Sequence, residues 1–305
     1  MKAGTNLEKV LESKKFAVTA EVGPPKGAGT AGVMKKGESI KNFTDAVNVT
    51  DNQTAIVRMC SLAGCTLLKR VGVEPVMQMV VRDRNRIAIQ SDILGAVALG
   101  IGNILCLSGD YQSFGNHPTA KGVYDLDSVQ LISTIKAMRD DHKFICGEAV
   151  NGEVPVFIGA VENPFADPYE YRVLRLARKV KAGVDFIQTQ AVFDVTKFKK
   201  WMQTIKQYGL DEKVHIMAGV IPVKSAGMAR YMRDYVSGVT VPDEVVTRLE
   251  QTSDVKAEGL KISLEIVEQV MEIPEVHGIH IMAVGWEEIV PVIVEQAGLS
   301  PRPEV

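Results

Sequence analysis

Eight short apolar runs punctuate the chain, and most of them end in a polar residue. They occupy positions 16–22, 46–50, 75–81, 103–110, 156–163, 185–190, 214–222 and 278–286. Their length and their content of Val, Ile and Phe predict buried β-strands. Longer stretches at 53–72, 86–99, 127–140, 169–182, 195–208, 225–235 and 287–296 separate or follow them and predict helices. A further stretch, 255–272, sets Leu260, Leu264, Val267 and Met271 at helical spacing before the last strand. Positions 239–246 read as a loop entering a short extra helix, with Asp243 near its start. Strand and helix alternating eight times predict a (β/α)₈ TIM barrel, of the α/β class, with an extra helix before the last strand.

A length of 305 residues suits one barrel with insertions, and no Pro, Gly or Ser-rich linker divides it, so positions 1–305 are expected to form a single domain. The formal net charge of −2 argues against a nucleic-acid partner. No apolar segment reaches membrane-spanning length, and charged residues follow the first positions where a signal peptide would be apolar, which predicts a cytoplasmic location. Cys60, Cys65, Cys106 and Cys146 match no zinc or iron–sulfur spacing and read as structural thiols. The histidines form no HxH or HxxxH pair, so no protein-built zinc site is expected.

In a barrel of this kind the carboxyl ends of the strands carry the chemistry. Glu21 ends the first strand before Gly23, Pro24 and Pro25, a setting for a general acid of raised pKa or for a rim ion pair. Asp110 follows Leu107, Ser108 and Gly109 at the fourth, where a carboxylate can stabilise positive charge, tune an electron-accepting ring, or simply complete a turn. Gln190 ends the sixth on the same face as Gln188, suited to a heterocycle edge or to internal bonding. Phe193 and Asp194 just beyond read as loop packing and a helix N-cap. Arg175, Arg178 and Lys179 share one helix face that can hold a pyrophosphate or face solvent. There is no GxGxxG after a strand and no Walker A motif.

Taken in order, Glu21 at strand one, VNVT ending on Thr50, LSGD at 107–110, VENP at 161–164, RKVKAG at 178–183, the QxxFD segment from Gln190 and GVIPV at 219–223 resemble the methylenetetrahydrofolate reductases. The resemblance spans roughly Phe16 to Val223 and fades towards the C-terminus. It implies a flavoprotein, with FAD or else FMN, that reduces 5,10-methylenetetrahydrofolate to 5-methyltetrahydrofolate. It also implies that Glu21 is the acid that opens the folate ring, Asp110 the carboxylate facing the resulting cation, and Gln190 the amide on the pterin. Implied flavin contacts are Thr50, Gln78, Leu107, Ser108, Gly109, Asp110, Tyr124, Glu162, Arg178 and Lys179.

Several positions depart from the family. Ser108 stands where an Arg is common, Gln78 replaces a His, and Trp286 replaces an Arg near the substrate tail. Met228 and Met232 replace a Gln and an aromatic residue associated with substrate and nicotinamide. Without that aromatic, direct use of NAD(P)H is put in doubt and electrons can come from a partner subunit or an electron-donating complex, as in the resembling reductase of acetogenic anaerobes. A homo-oligomer is also compatible with this reading. Two other readings stay open: a flavin-free barrel enzyme acting on a phosphate-bearing substrate, and a non-catalytic folate-binding subunit.

Overall fold

The computed structural model describes residues 1–236 and 238–305. Eight parallel strands close into a barrel in sequence order: β1 (Ala17–Val22), β2 (Ala46–Val49), β3 (Pro75–Val80), β4 (Asn103–Leu107), β5 (Phe157–Glu162), β6 (Phe186–Ala191), β7 (His215–Val220) and β8 (Gly278–Ile281). β8 pairs with β1, Thr19 lying level with His280 and, on the other side, with Ala46. All eight predicted runs are therefore strands.

Helices α1 (Asn6–Glu12), α2 (Ala31–Ile40), α3 (Ser61–Arg70), α4 (Arg86–Ala98), α5 (Ser128–Asp140), α6 (Tyr171–Ala182) and α7 (Val195–Gln207) occupy the first part of the chain. α8 (Ala226–Tyr235), α9 (Asp243–Gln251), α10 (Val255–Met271) and α11 (Ile289–Gln296) complete the set. Polar side-chain caps set several of their starts. Asp127 and Gln130 form a reciprocal capping box at α5, and Asp194 accepts from the Lys197 amide at 2.8 Å, the predicted N-cap of α7.

One expectation needs correction: the stretch 53–72 is not one helix, since Asn52, Thr54 and Ala55 have positive φ and only α3 is α-helical. Between β7 and β8 run α8, α9 and α10, as the stretches 225–235, 239–246 and 255–272 predict, and α10 packs against β7, α7 and α11.

Side-chain alternation along the strands builds the barrel interior in layers. Ala17, Ala46, Val76, Leu105, Phe157, Phe186 and Met217 form an apolar floor, sealed by Leu7, Val10 and Leu11 of α1. Phe157 and Phe186 stack there with centroids 5.1 Å apart. Two residues further along the strands come Thr19, Asn48, Gln78, Gln188 and His280, and beyond these lie Glu21, Thr50, Leu107, Gln190 and Met282 at the mouth. Among the described residues, no helix is long and apolar enough to cross a membrane.

Candidate functional site

A cavity of about 750 Å³ opens at the carboxyl ends of the strands. That is the size class of small-molecule and cofactor sites. Glu21, Thr50, Gln78, Ser108, Asp110, Glu162, Lys179 and Gln190 all contribute to its wall. Sequence expectation and structure thus bring together residues from β1 to β6.

Glu21 lines this cavity with 13 % of its side chain exposed. Burial, opposed by a 3.1 Å hydrogen bond from Gln78 Nε2 and reinforced by the negative charge of Glu287, raises its pKa to about 7. Such a group is both proton-bearing and able to give the proton up near neutrality. No lysine or arginine pairs with it among the described residues, so it is not the rim ion pair that its position also allowed. Gln78, expected at the cofactor, lines the cavity and donates one amide proton to Glu21.

Beneath Glu21 runs a buried polar layer. His280 Nε2 stands 4.0 Å from Glu21 Oε2, and His280 Nδ1 lies 2.9 Å from Thr19 Oγ1. Gln188 Nε2 donates to Thr19 Oγ1 at 3.0 Å, and Asn48 Nδ2 donates to Gln188 Oε1 at 2.7 Å. Burial lowers the His280 pKa to about 3, so the ring is neutral and places no cation beside Glu21.

Asp110 projects from the end of β4. Gly109 before it has φ +84°, and an added Cβ would sit 3.1 Å from Val80 Cβ, so only glycine makes this turn. The Asp110 carboxylate accepts from the Thr54 amide at 3.0 Å. Its carbonyl accepts from Nη1 of Arg82, a side chain 2 % exposed that also donates to the Asn52 carbonyl and to Asp83. Thr50 lines the cavity, and its Oγ1 is buried without a hydrogen-bond partner.

The basic residues separate. Lys179 Nζ is buried, 2.7 Å from Glu162 Oε2 and bonded to the Val161 carbonyl. Arg175 and Arg178 are exposed, and both line an adjoining recess with Ser108, Asp127, Ser128 and Tyr171. Arg175 also lines the main cavity with Lys179, so only Arg178 stands apart in the recess, and Glu162 offsets the Lys179 charge. Tyr124 is absent from the cavity wall: it packs by Tyr111, with ring centroids 6.1 Å apart. Gln190 sits where the β6–β7 register shifts, and its own side chain accepts from the Ala191 amide at 3.0 Å. Such an irregularity aims a side chain away from the regular strand direction.

Met228 is half-buried and Met232 buried, both packed against the hydrophobic core and neither in the cavity wall. Trp286 is also buried, with Lys256 Nζ 5.9 Å from its ring centroid. All four cysteines are free: Cys65 and Cys106 are buried, and burial pushes both thiols up. Among the described residues, no cluster of three or more metal-ligating side chains occurs.

Residue reasoning missed Thr19, Asn48, Arg82 and His280. The first, second and last share the inward phase of Glu21, Thr50 and Met282, which was the readable signal. Arg82 gave none, because its partners Asn52, Asp83 and Asp110 come from different loops.

The family model described as methylenetetrahydrofolate reductase matches residues 6–298. Methylenetetrahydrofolate reductase 2 of Saccharomyces cerevisiae is 27% identical over 240 residues, covering 76% of this chain and 38% of its own length. 5,10-Methylenetetrahydrofolate reductase of Salmonella typhimurium is 24% identical over 237 residues, covering 76% of this chain and 73% of its own. The chain spans less than half the length of the yeast and nematode relatives it matches, 32% to 44%. Among solved structures, a Clostridium thermocellum protein described as binding two copies of 5-methyl-5,6,7,8-tetrahydrofolic acid superposes with a TM-score of 0.67 at 15% identity, over 96% of this chain and 99% of that one. The likeness is one of fold.

Proposed function

The chain belongs to the methylenetetrahydrofolate reductase family, and from that premise we propose that it binds a flavin, FAD or FMN, and reduces 5,10-methylenetetrahydrofolate to 5-methyltetrahydrofolate. One observation carries the reading: Glu21, with a pKa of about 7, shares a cavity with Asp110 from the far side of the barrel mouth.

The residues present fit a flavin. Thr50 supplies an unpartnered buried hydroxyl, the glycine turn at Gly109 brings backbone to the wall, and Arg175 and Arg178 leave cationic groups at one end for a phosphate. A bound reduced flavin supplies the hydride. Glu21 donates its proton to the ring nitrogen whose bond to the bridging methylene breaks, opening the five-membered ring. The methylene carbon becomes the electron-poor end of an iminium cation. The Asp110 carboxylate stabilises that cation, and Gln190 offers both donor and acceptor to the pterin edge. Neutral His280 beneath Glu21 leaves the carboxyl free to hold its proton until the substrate takes it.

Electrons enter from NAD(P)H or from a partner protein. With Met228 and Met232 turned into the core, the α8 segment presents no aromatic side chain from these positions to a nicotinamide, which supports the partner route.

Glu21→Gln tests the assignment. The variant keeps its flavin content and loses turnover. A variant that turns over normally removes Glu21 from the mechanism.

A further inference from the structure

Among the described residues, three of the six non-glycine residues with positive φ lie within four positions of one another: Asn52 at 45°, Thr54 at 57° and Ala55 at 54°. This is the left-handed region, which asparagine tolerates and a β-branched threonine avoids. A backbone held this way persists only where its surroundings fix it. Here they do. Arg82 Nη2 holds the Asn52 carbonyl at 3.3 Å, Asn52 Oδ1 accepts from the Arg58 amide at 3.0 Å, and Asn116 Oδ1 accepts from the Val57 amide at 3.2 Å. Gly115 lies so close above that a Cβ there would come within 1.9 Å of the Ala55 carbonyl oxygen.

The strained turn has one product at the site: it points the Thr54 N–H at Asp110 Oδ2. Among the described residues, no other hydrogen bond reaches that carboxylate, so Oδ1 is left for a ligand. Arg82 links both ends of the arrangement, because the same guanidinium holds the Asp110 and Asn52 carbonyls. Asn52, Gln53 and Asp110 all line the cavity.

We propose that Thr54 is a positioning residue: its left-handed backbone directs an amide that orients the Asp110 carboxylate towards the cation of the bound substrate. The strain at 52–55 is then the cost of aiming Asp110 before substrate arrives, as preorganised sites require. This rests on the reading of Asp110 given under Proposed function.

The test compares Thr54→Pro, which removes the N–H and, with φ locked at about −65°, the left-handed turn as well, with Thr54→Gly, which keeps the donor and accepts positive φ. The readout is the anaerobic rate at which methylenetetrahydrofolate re-oxidises the reduced flavoprotein. Thr54→Pro lowers that rate about tenfold to a hundredfold, the effect of losing a hydrogen bond to a charged group. Thr54→Gly stays within about twofold of the parent, since the donor is retained. In an Asp110→Asn background Thr54→Pro adds little, because the two act through one carboxylate. An equal loss in both backgrounds, or equal losses for Gly and Pro, overturns the proposal.

Amide exchange at Thr54, followed by NMR in the holoprotein with and without Asp110→Ala, needs neither substrate nor the proline variant. Exchange at least about tenfold faster in Asp110→Ala is expected from loss of the bond. Unchanged exchange sinks the latch even if folate is reduced. Faster exchange in a protein that never reduces folate keeps the latch and discards the reaction.

Discussion

Glu21 is the residue on which the chemistry turns, and its pKa gives predictions in two directions. A carboxyl whose folded pKa is raised from 4.5 to about 7 binds more protons in the native state than unfolded between those values. Stability therefore falls as pH rises through that window, and Glu21→Gln should be the more stable protein at pH 8, by on the order of 3 kcal/mol. Chemical denaturation of both proteins at pH 5 and pH 8 checks this: the gap should open only at the higher pH. For activity, the folate half-reaction should slow above pH 7 as Glu21 loses its proton, and a single-turnover pH profile flat to pH 9 contradicts the acid role.

Lys179 and Glu162 form the other consequential pair. Burial lowers the lysine pKa and the nearby carboxylate opposes that effect, so each charge depends on its partner. Lys179→Met alone should cost about 3–5 kcal/mol by leaving a buried carboxylate uncompensated, whereas Lys179→Met with Glu162→Met should cost much less. Urea midpoints of the single and double variants decide it, and equal losses contradict a paired burial. Glu21, Asp110 and Gln190 were readable because each ends an apolar run. The partnership of Lys179 with Glu162 was not, since helical spacing alone groups Lys179 with Arg175.

At the scale of elements, the strands were legible because burial on both faces leaves near-continuous apolar runs. α1 and α2 were harder. α1 has seven residues, too few for a clear period, and α2 carries Gly32 and Gly37, which dilute its apolar stripe. The break at 52–55 was hidden because glutamine, threonine and alanine carry no turn signal; only Arg82, Asn116 and Asp110, arriving from elsewhere, impose it. α1 matters beyond its length, since Leu7 and Leu11 are fully buried against the barrel floor. Leu11→Ala should destabilise the protein by about 2–5 kcal/mol. A thermal melt indistinguishable from the parent contradicts the view that α1 seals the barrel.

For the whole molecule, closure is what assembles the site. β8 returning to β1 places His280 against Thr19, and Gln188 of β6 reaches across the interior to Thr19 and Asn48. The two-residue phase places Thr19, Asn48, Gln188 and His280 on the inward face, but no local pattern encodes the contacts across the barrel that join them into one layer under Glu21. The same closure sets Glu21, with its raised pKa, and the Asp110 carboxylate around one cavity of about 750 Å³. The central claim is that this cavity holds a flavin and delivers its electrons to a folate. The most direct measurement is an anaerobic absorbance spectrum of the purified protein, chemically reduced and then mixed with 5,10-methylenetetrahydrofolate. The account predicts that the oxidised flavin bands return on adding the folate. A colourless protein that neither FAD nor FMN reconstitutes would contradict it and favour a barrel acting on a phosphate-bearing substrate.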